Sequence, residues 1–207
     1  MQLSQEKQHM LVTMKHDYDI NVKLDKKADQ HTDKMSAELS AFFVAHSVDD
    51  HIDSGILTKA PNAADISRLK KLAEQLPRTS EINAKKRKMA FLTMGVSDME
   101  MYVQSMMGLL MLPFAIDSYK LFDSTLNDEF KDEYQRQAKD TGIKSTLLDS
   151  KVQELSHASF DKKTPSQAYW TSFDKTLASL SIEISKAIQQ GVSAKQWAII
   201  TGGMQYG

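Results

Sequence analysis

The chain has 207 residues, enough for one domain or two small ones with a sizeable core, and it contains no cysteine. Disulfides, thiolate nucleophiles and cysteine-based zinc sites are therefore excluded. With 26 Lys and Arg against 27 Asp and Glu the net charge is −1, so no global field draws the protein to nucleic acid or anionic lipid, and any such binding is local.

Only eight glycines and four prolines, with abundant Lys, Gln, Ala, Leu and Met, favour an α-helical protein. The opening MQLSQEKQHM carries charge and lacks an apolar stretch, so no signal peptide is expected. That fits a cytoplasmic protein, or one exported without a conventional signal.

From Leu3 to about Asp25, Leu11, Met14 and Tyr18 fall at helical spacing, and Ile20, Val22 and Leu24 then alternate as in a strand. No partner strand follows nearby, and a lone strand leaves its backbone unpaired, so the segment is predicted to be a helix that continues or breaks near Asn21. Asp25 to Lys34 is polar on nearly all sides, a solvated extension or a mobile connection, which makes residues 1–31 a protruding or flexible helical arm. The next predicted helix runs from Thr32 to Asp53, with Met35, Leu39, Phe42, Phe43 and His46 as its stripe and Gly55 at the C′ position. Beyond Pro61, the segment NAADISRLKKLAEQL places Ile66, Leu69, Leu72, Ala73 and Leu76 on one face and is stopped by Pro77.

Ser80 opens a helix that carries Met89, Phe91, Leu92 and Met94 and reaches Gly95. Ser97 and Glu100 then form a capping-box pattern before Met101 to Ile116, a run of 16 uncharged residues. This run spans about 24 Å as a helix, short of the roughly 30 Å of a bilayer core, and Pro113 is expected to kink it. It is predicted to be the buried central helix of a bundle, from Asp98 to near Leu112. If exposed, the same run would enter a lipid surface or a partner's groove.

Leu126 to Lys139 is predicted to be a surface helix anchored by Phe130 and Tyr134 and ended by Gly142, and Ser145 to Phe160 is a further helix. The clearest element begins at Thr164 as N-cap, with Pro165 at N1 and Gln167 completing a capping box, and closes at Gly191. Within it Tyr169, Phe173, Thr176, Leu180, Ile184 and Ala187 recur at gaps of four and three, the seam of a coiled coil or long bundle helix. A last short helix starts at Ser193 with Gln196 as capping partner, and the tail 202–207 carries no core pattern. The expected fold is all-α: one domain over 1–207, an elongated multi-helix bundle of seven or eight helices with a central apolar helix and a long C-terminal coiled-coil-like helix.

No catalytic residue, cofactor site or metal site is assigned. His46 with Asp50, and Asp49 with Asp53, lie one helical turn apart and resemble half a metal site, but polar residues and histidines are also what a helix C-terminus ordinarily carries. Glu6/His9 and Glu154/His157 have the Glu-x-x-His spacing used in metal-binding bundles, a pattern short enough to arise by chance. No glycine-rich phosphate loop and no nucleophile elbow is present.

Three function classes follow. The first is a non-enzymatic interaction protein binding a protein partner or a second copy through Tyr169, Phe173, Leu180 and Ile184, with Trp197 and Tyr206 of the tail as further contacts. The second is a membrane-active or membrane-docking protein of exported-effector or pore-former type. There the basic run Lys85, Lys86, Arg87 and Lys88 meets an anionic surface, and Met106, Met107, Leu109 and Leu110 enter it. The third is a metal-dependent bundle enzyme. No specific nucleic-acid partner is expected.

Overall fold

The computed structural model describes residues 5–49, 51–93, 95–142, 149–159, 162–193 and 196. Among them the protein is all-α, with six α-helices, one 3-10 turn and a minimal hairpin: α1 (Gln5–His46), β1 (Ser47–Val48), β2 (His51–Ile52), the 3-10 turn (Ser54–Thr58), α2 (Ala63–Glu74), α3 (Ile82–Thr93), α4 (Met99–Asp140), α5 (Asp149–Ser156) and α6 (Pro165–Gln189).

Two helices are longer than the hydrophobic pattern suggests. Of the alternatives open for this segment the continuous ones hold: the helix runs on past Asn21, Asp25 to Lys34 is a helical extension, and α1 is one helix of 42 residues. No glycine or proline occurs before Gly55, so nothing in the backbone chemistry interrupts it. It ends at His46 rather than Asp53, because the chain turns into the hairpin, pairing Ser47 with Ile52 and Val48 with His51 around a positive φ at Asp49. Gly55, expected as a helix C′ residue, instead lies inside the 3-10 turn, whose N-cap Asp53 accepts from the Gly55 amide. This hairpin was not expected from a sequence without strand patterns.

The central helix is likewise continuous. α4 runs 42 residues straight through Pro113 and takes in the separate surface helix expected over Leu126 to Lys139. Proline removes one ladder hydrogen bond, but helical partners on several sides hold the flanking turns in place. At its start Asp98 is the N-cap in place of Ser97: its carboxylate accepts from the Met101 amide at 2.9 Å, and the Ser97 hydroxyl donates to its other oxygen at 2.8 Å. A carboxylate is the better choice there because it also faces the positive end of a long helix, and these hydrogen bonds hold the Asp98 carboxyl below its usual range. α3 begins at Ile82, its first turn capped by Glu81, whose carboxylate accepts from the Ala84 amide; Ser80 lies outside it.

The remaining sequence signals match the structure. Asn62 and Asp65 exchange a reciprocal capping box at the start of α2, and Thr164 and Gln167 do the same at α6 with Pro165 in the first turn. α6 ends in a Schellman arrangement in which Val192 and Gly191 donate to Ala187 and Ile188, with Gly191 at φ 67°. Ser193 and Gln196 show the expected capping exchange, while the rest of that element, with Trp197, lies outside the described residues, as do Met94, Asp50, residues 143–148 and the tail with Tyr206.

The core wraps the first half of α4. Tyr102, Val103, Met106, Met107, Leu109, Leu110 and Leu112 are buried against Leu39, Phe42 and Phe43 of α1, Leu69 and Leu72 of α2, Ala84 of α3, and Trp170, Phe173, Leu177, Ile184 and Ile188 of α6. Gly108 matters sterically: a Cβ there would lie 2.5 Å from the Phe91 ring of α3, so the missing side chain sets how closely α3 approaches α4. Gly108→Ala would gain about 1 kcal/mol of helix propensity, yet is expected to lower stability by ~1–2 kcal/mol through overpacking. Thermal melts should show the loss and its recovery in Gly108→Ala/Phe91→Leu. A single variant more stable than the parent would place Phe91 loosely enough to step aside.

Candidate functional site

α4 changes character at Asp117. Its first half has almost no polar face; its second half, over residues 117–140, is rich in Asp, Glu, Lys and Arg. The N-terminal half of α1 packs along that second half, with Ile20 and Leu24 beside Leu121 and Phe122 and with polar pairs on either side: His16 lies 3.4 Å from Glu129, His9 3.9 Å from Glu133, and Lys27 and His31 share Asp117 at 3.6 and 3.8 Å. A cleft between the helices is lined by His9, His16, Glu129, Glu133 and Arg136. Glu133 is held down to about 2, first by the Arg136 guanidinium and then by Gln137. His31 also stands edge-on to Phe114, and burial lowers its pKa in spite of Asp117.

Because α1 turns its polar stripe to α4, its apolar stripe faces water. Leu11, Met14 and Tyr18 are 52%, 60% and 67% exposed, and Met10 and Val12 beside them are equally open. The helical spacing of Leu11, Met14 and Tyr18 is plain in the sequence. What the sequence lacks is any sign that this stripe is uncovered while the similar stripe on α6 is covered.

The expected partner seam on α6 lies largely inside the molecule. Ile184 is fully buried, Phe173 nearly so, and Tyr169 and Leu180 are half-buried against the same core. The covered stripe is Trp170, Phe173, Leu177, Ser181, Ile184 and Ile188, rotated slightly from the expected one, and Thr176 is exposed. Tyr169 donates from its hydroxyl to the Ala115 carbonyl at 2.9 Å and stacks on Phe122, and burial pushes its pKa up to about 12. With their apolar faces turned to α4, Phe173 and Ile184 are unavailable to a partner in this fold.

The basic run is divided in the same way. Lys85 and Lys86 are exposed and Lys88 is half-buried. Arg87 instead holds α3 to α6: it grips the Asp174 carboxylate with two nitrogens, donates to the Trp170 and Asn83 carbonyls, and stands 4.8 Å from the centre of the Trp170 ring. Met106, Met107, Leu109 and Leu110, expected as membrane contacts, are core residues. α4 is long and apolar enough to cross a membrane, correcting the length expected from residues 101–116 alone, but 67% of its most apolar stretch is buried within the fold.

The helical spacing noted around His46 ends with α1 at His46: Asp49 lies in the hairpin turn and Asp53 caps the 3-10 turn, while Asp50 lies outside the described residues. The His46 ring meets Asp65 of α2 at 3.0 Å with both side chains 9% exposed, while the other Asp65 oxygen accepts from the Asn62 amide. Beside them Arg68 pairs with Glu38 at 2.7 Å, and the buried Tyr102 phenol is pushed up to about 12, first by burial and then by Asp65. These pairs latch α1 to α2. Asp65→Ala strands both His46 and the α2 cap and is expected to cost ~2–4 kcal/mol in urea unfolding. A change under about 0.5 kcal/mol would mean water replaces the carboxylate. Among the described residues no group of three or more His, Asp or Glu is arranged around one ion site.

His157, from the second Glu-x-x-His pair, contacts Asp123 of α4 at 2.7 Å, which raises its pKa. A histidine raised on folding contributes stability fully below its unfolded value near pH 6.5, and that contribution disappears as pH rises through the folded value. The stability difference between the parent and Asp123→Asn should therefore shrink between about pH 6 and about pH 8. A pH-independent difference in urea midpoints would show that the pair does not titrate in that window. The chain matches no protein-family profile, no curated protein and no solved structure.

Proposed function

We propose that this is a non-enzymatic helical interaction protein that binds an amphipathic helix of a protein partner along the outer face of α1. The observation that supports this reading is the exposed stripe of Leu11, Met14 and Tyr18, spaced at gaps of three and four on a helix whose opposite face packs on α4. Such a seam accepts apolar anchors of a second helix at the same spacing. The core supplies a rigid base, and the α1–α4 pair carries the stripe outward over helices of 42 residues, about 63 Å at 1.5 Å per residue.

Burial of Met106, Met107, Leu109 and Leu110 weighs against membrane insertion as the main activity, because α4 would have to leave α1, α2, α3 and α6 together to expose them. The α6 seam would require the same core to open.

Leu11→Ser/Tyr18→Ser alters only exposed positions, so its melting temperature should match the parent. Hydrophobic-probe fluorescence and photo-crosslinking from position 14 should both fall, with each of the two anchors contributing ~1–2 kcal/mol to any captured helix. A double variant that melts early would mean the stripe is covered in solution, and unchanged crosslinking would move the interaction surface away from α1.

A further inference from the structure

The expected meeting of the basic run with the apolar centre takes a specific form that leaves the fold intact. A cleft of about 350 Å³ opens where the loop after α2, the first turns of α3 and the middle of α4 converge. It is floored by Leu76, Pro77, Leu112 and Ile116, of which Pro77 is exposed, while Leu112 and Ile116, from the uncharged run of α4, are nearly covered at its bottom. Its charged lining is Arg78 from the loop and Lys85 and Lys88, one turn apart on α3.

All three of these side chains are cations, and among the described residues none makes an ion pair. The nearby carboxylate of Glu81 does not line the cleft; it accepts from the Ala84 amide and the Asn83 side chain. Arg87, the remaining cation with a buried stem, is turned away to Asp174. The cleft thus brings together unneutralised positive charge and apolar surface, in a volume typical of small-molecule sites. A free inorganic anion would satisfy only the cations, and a neutral alkane only the walls.

We propose that this cleft binds a monomeric anionic amphiphile, a single alkyl chain with a carboxylate or phosphate head. The chain lies over Pro77 and Leu76, above the covered Leu112 and Ile116, and the head sits between Arg78, Lys85 and Lys88. The proposal is independent of the partner surface on α1, since no residue of that stripe lines the cleft.

The test is titration of the full chain with decanoate, decyltrimethylammonium and inorganic phosphate, each below any micelle concentration, followed by calorimetry and amide chemical shifts. Decanoate should bind saturably at one site, about tenfold or more tighter than decyltrimethylammonium or phosphate, because only it meets both requirements. Arg78→Gln/Lys85→Gln/Lys88→Gln should weaken decanoate about tenfold. Lys86→Gln, one residue along but off the cleft, should bind like the parent.

Equal binding of the two alkyl ligands, equal binding of phosphate, or no saturable decanoate site overturns the proposal on the parent protein alone, whatever the folding of the variant. Unchanged binding by a folded triple variant overturns it too. A last arm uses phosphatidylglycerol vesicles: retention on vesicles without monomer binding also overturns it, placing the basic residues on a bilayer surface instead of around a single chain.

Discussion

Everything in this fold follows from one helix half that cannot face water. Over Met101 to Ile116 α4 has no charged residue, so it needs apolar cover around its whole circumference. The protein supplies that cover with segments from four helices. The C-terminal part of α1 brings Leu39, Phe42 and Phe43, α2 brings Leu69 and Leu72, α3 brings Ala84 and Phe91, and α6 brings a full stripe from Trp170 to Ile188. The polar links are placed where these covering segments meet one another. His46–Asp65 and Glu38–Arg68 join α1 to α2, and Arg87 with Asp174 joins α3 to α6, so each fastening holds a cover in place and leaves α4 itself free of buried charge.

The second half of α4 obeys a different rule. From Asp117 onward it carries its own charges, and its neighbours add polar partners beside Ile20 and Leu24: Lys27, His31, His16 and His9 from α1, and Asp149 and His157 for Lys131 and Asp123. Exposed pairs of this sort add little stability individually. They do fix which face of α1 turns inward, and so leave Leu11, Met14 and Tyr18 outward.

Local chemical signals in the sequence were read accurately around α6, whereas at α4 the capping box read at Ser97 and Glu100 gave way to Asp98. The capping boxes at Thr164 and Ser193, proline at the start of α6 and glycine at its end act through hydrogen bonds and backbone angles within a few residues. Continuity was harder to read. A polar stretch such as Asp25 to Lys34 looks like a break when helices are inferred from apolar stripes, yet without glycine or proline a helix crosses it unhindered. Pro113 does not stop the helix, because packing on several sides compensates for one lost hydrogen bond. The exposure of a stripe is a tertiary property: the spacing of Leu11, Met14 and Tyr18 resembles that of Phe173, Leu177 and Ile184, and only the neighbouring helices separate surface from core. The cleft was half legible, since the basic run and the apolar centre are both plain, while Arg78 joins them only through the fold.

The shared length of α1 and α4 carries a last implication. Both helices run from the apolar core into the polar pairing without interruption, so the two ends differ in cohesion though the backbone is continuous. Cooperative unfolding energy is concentrated where the leucines and aromatics are packed, and the far end, held by exposed ion pairs, lies at the low end of the local-stability range. The tip of the pair can therefore open and close many times within one lifetime of the folded core, as a forked rod fixed at its base. A helix laid against the outer face of α1 would tighten that fork, and hydrogen exchange at the tip would slow on binding even though nothing in the core had moved.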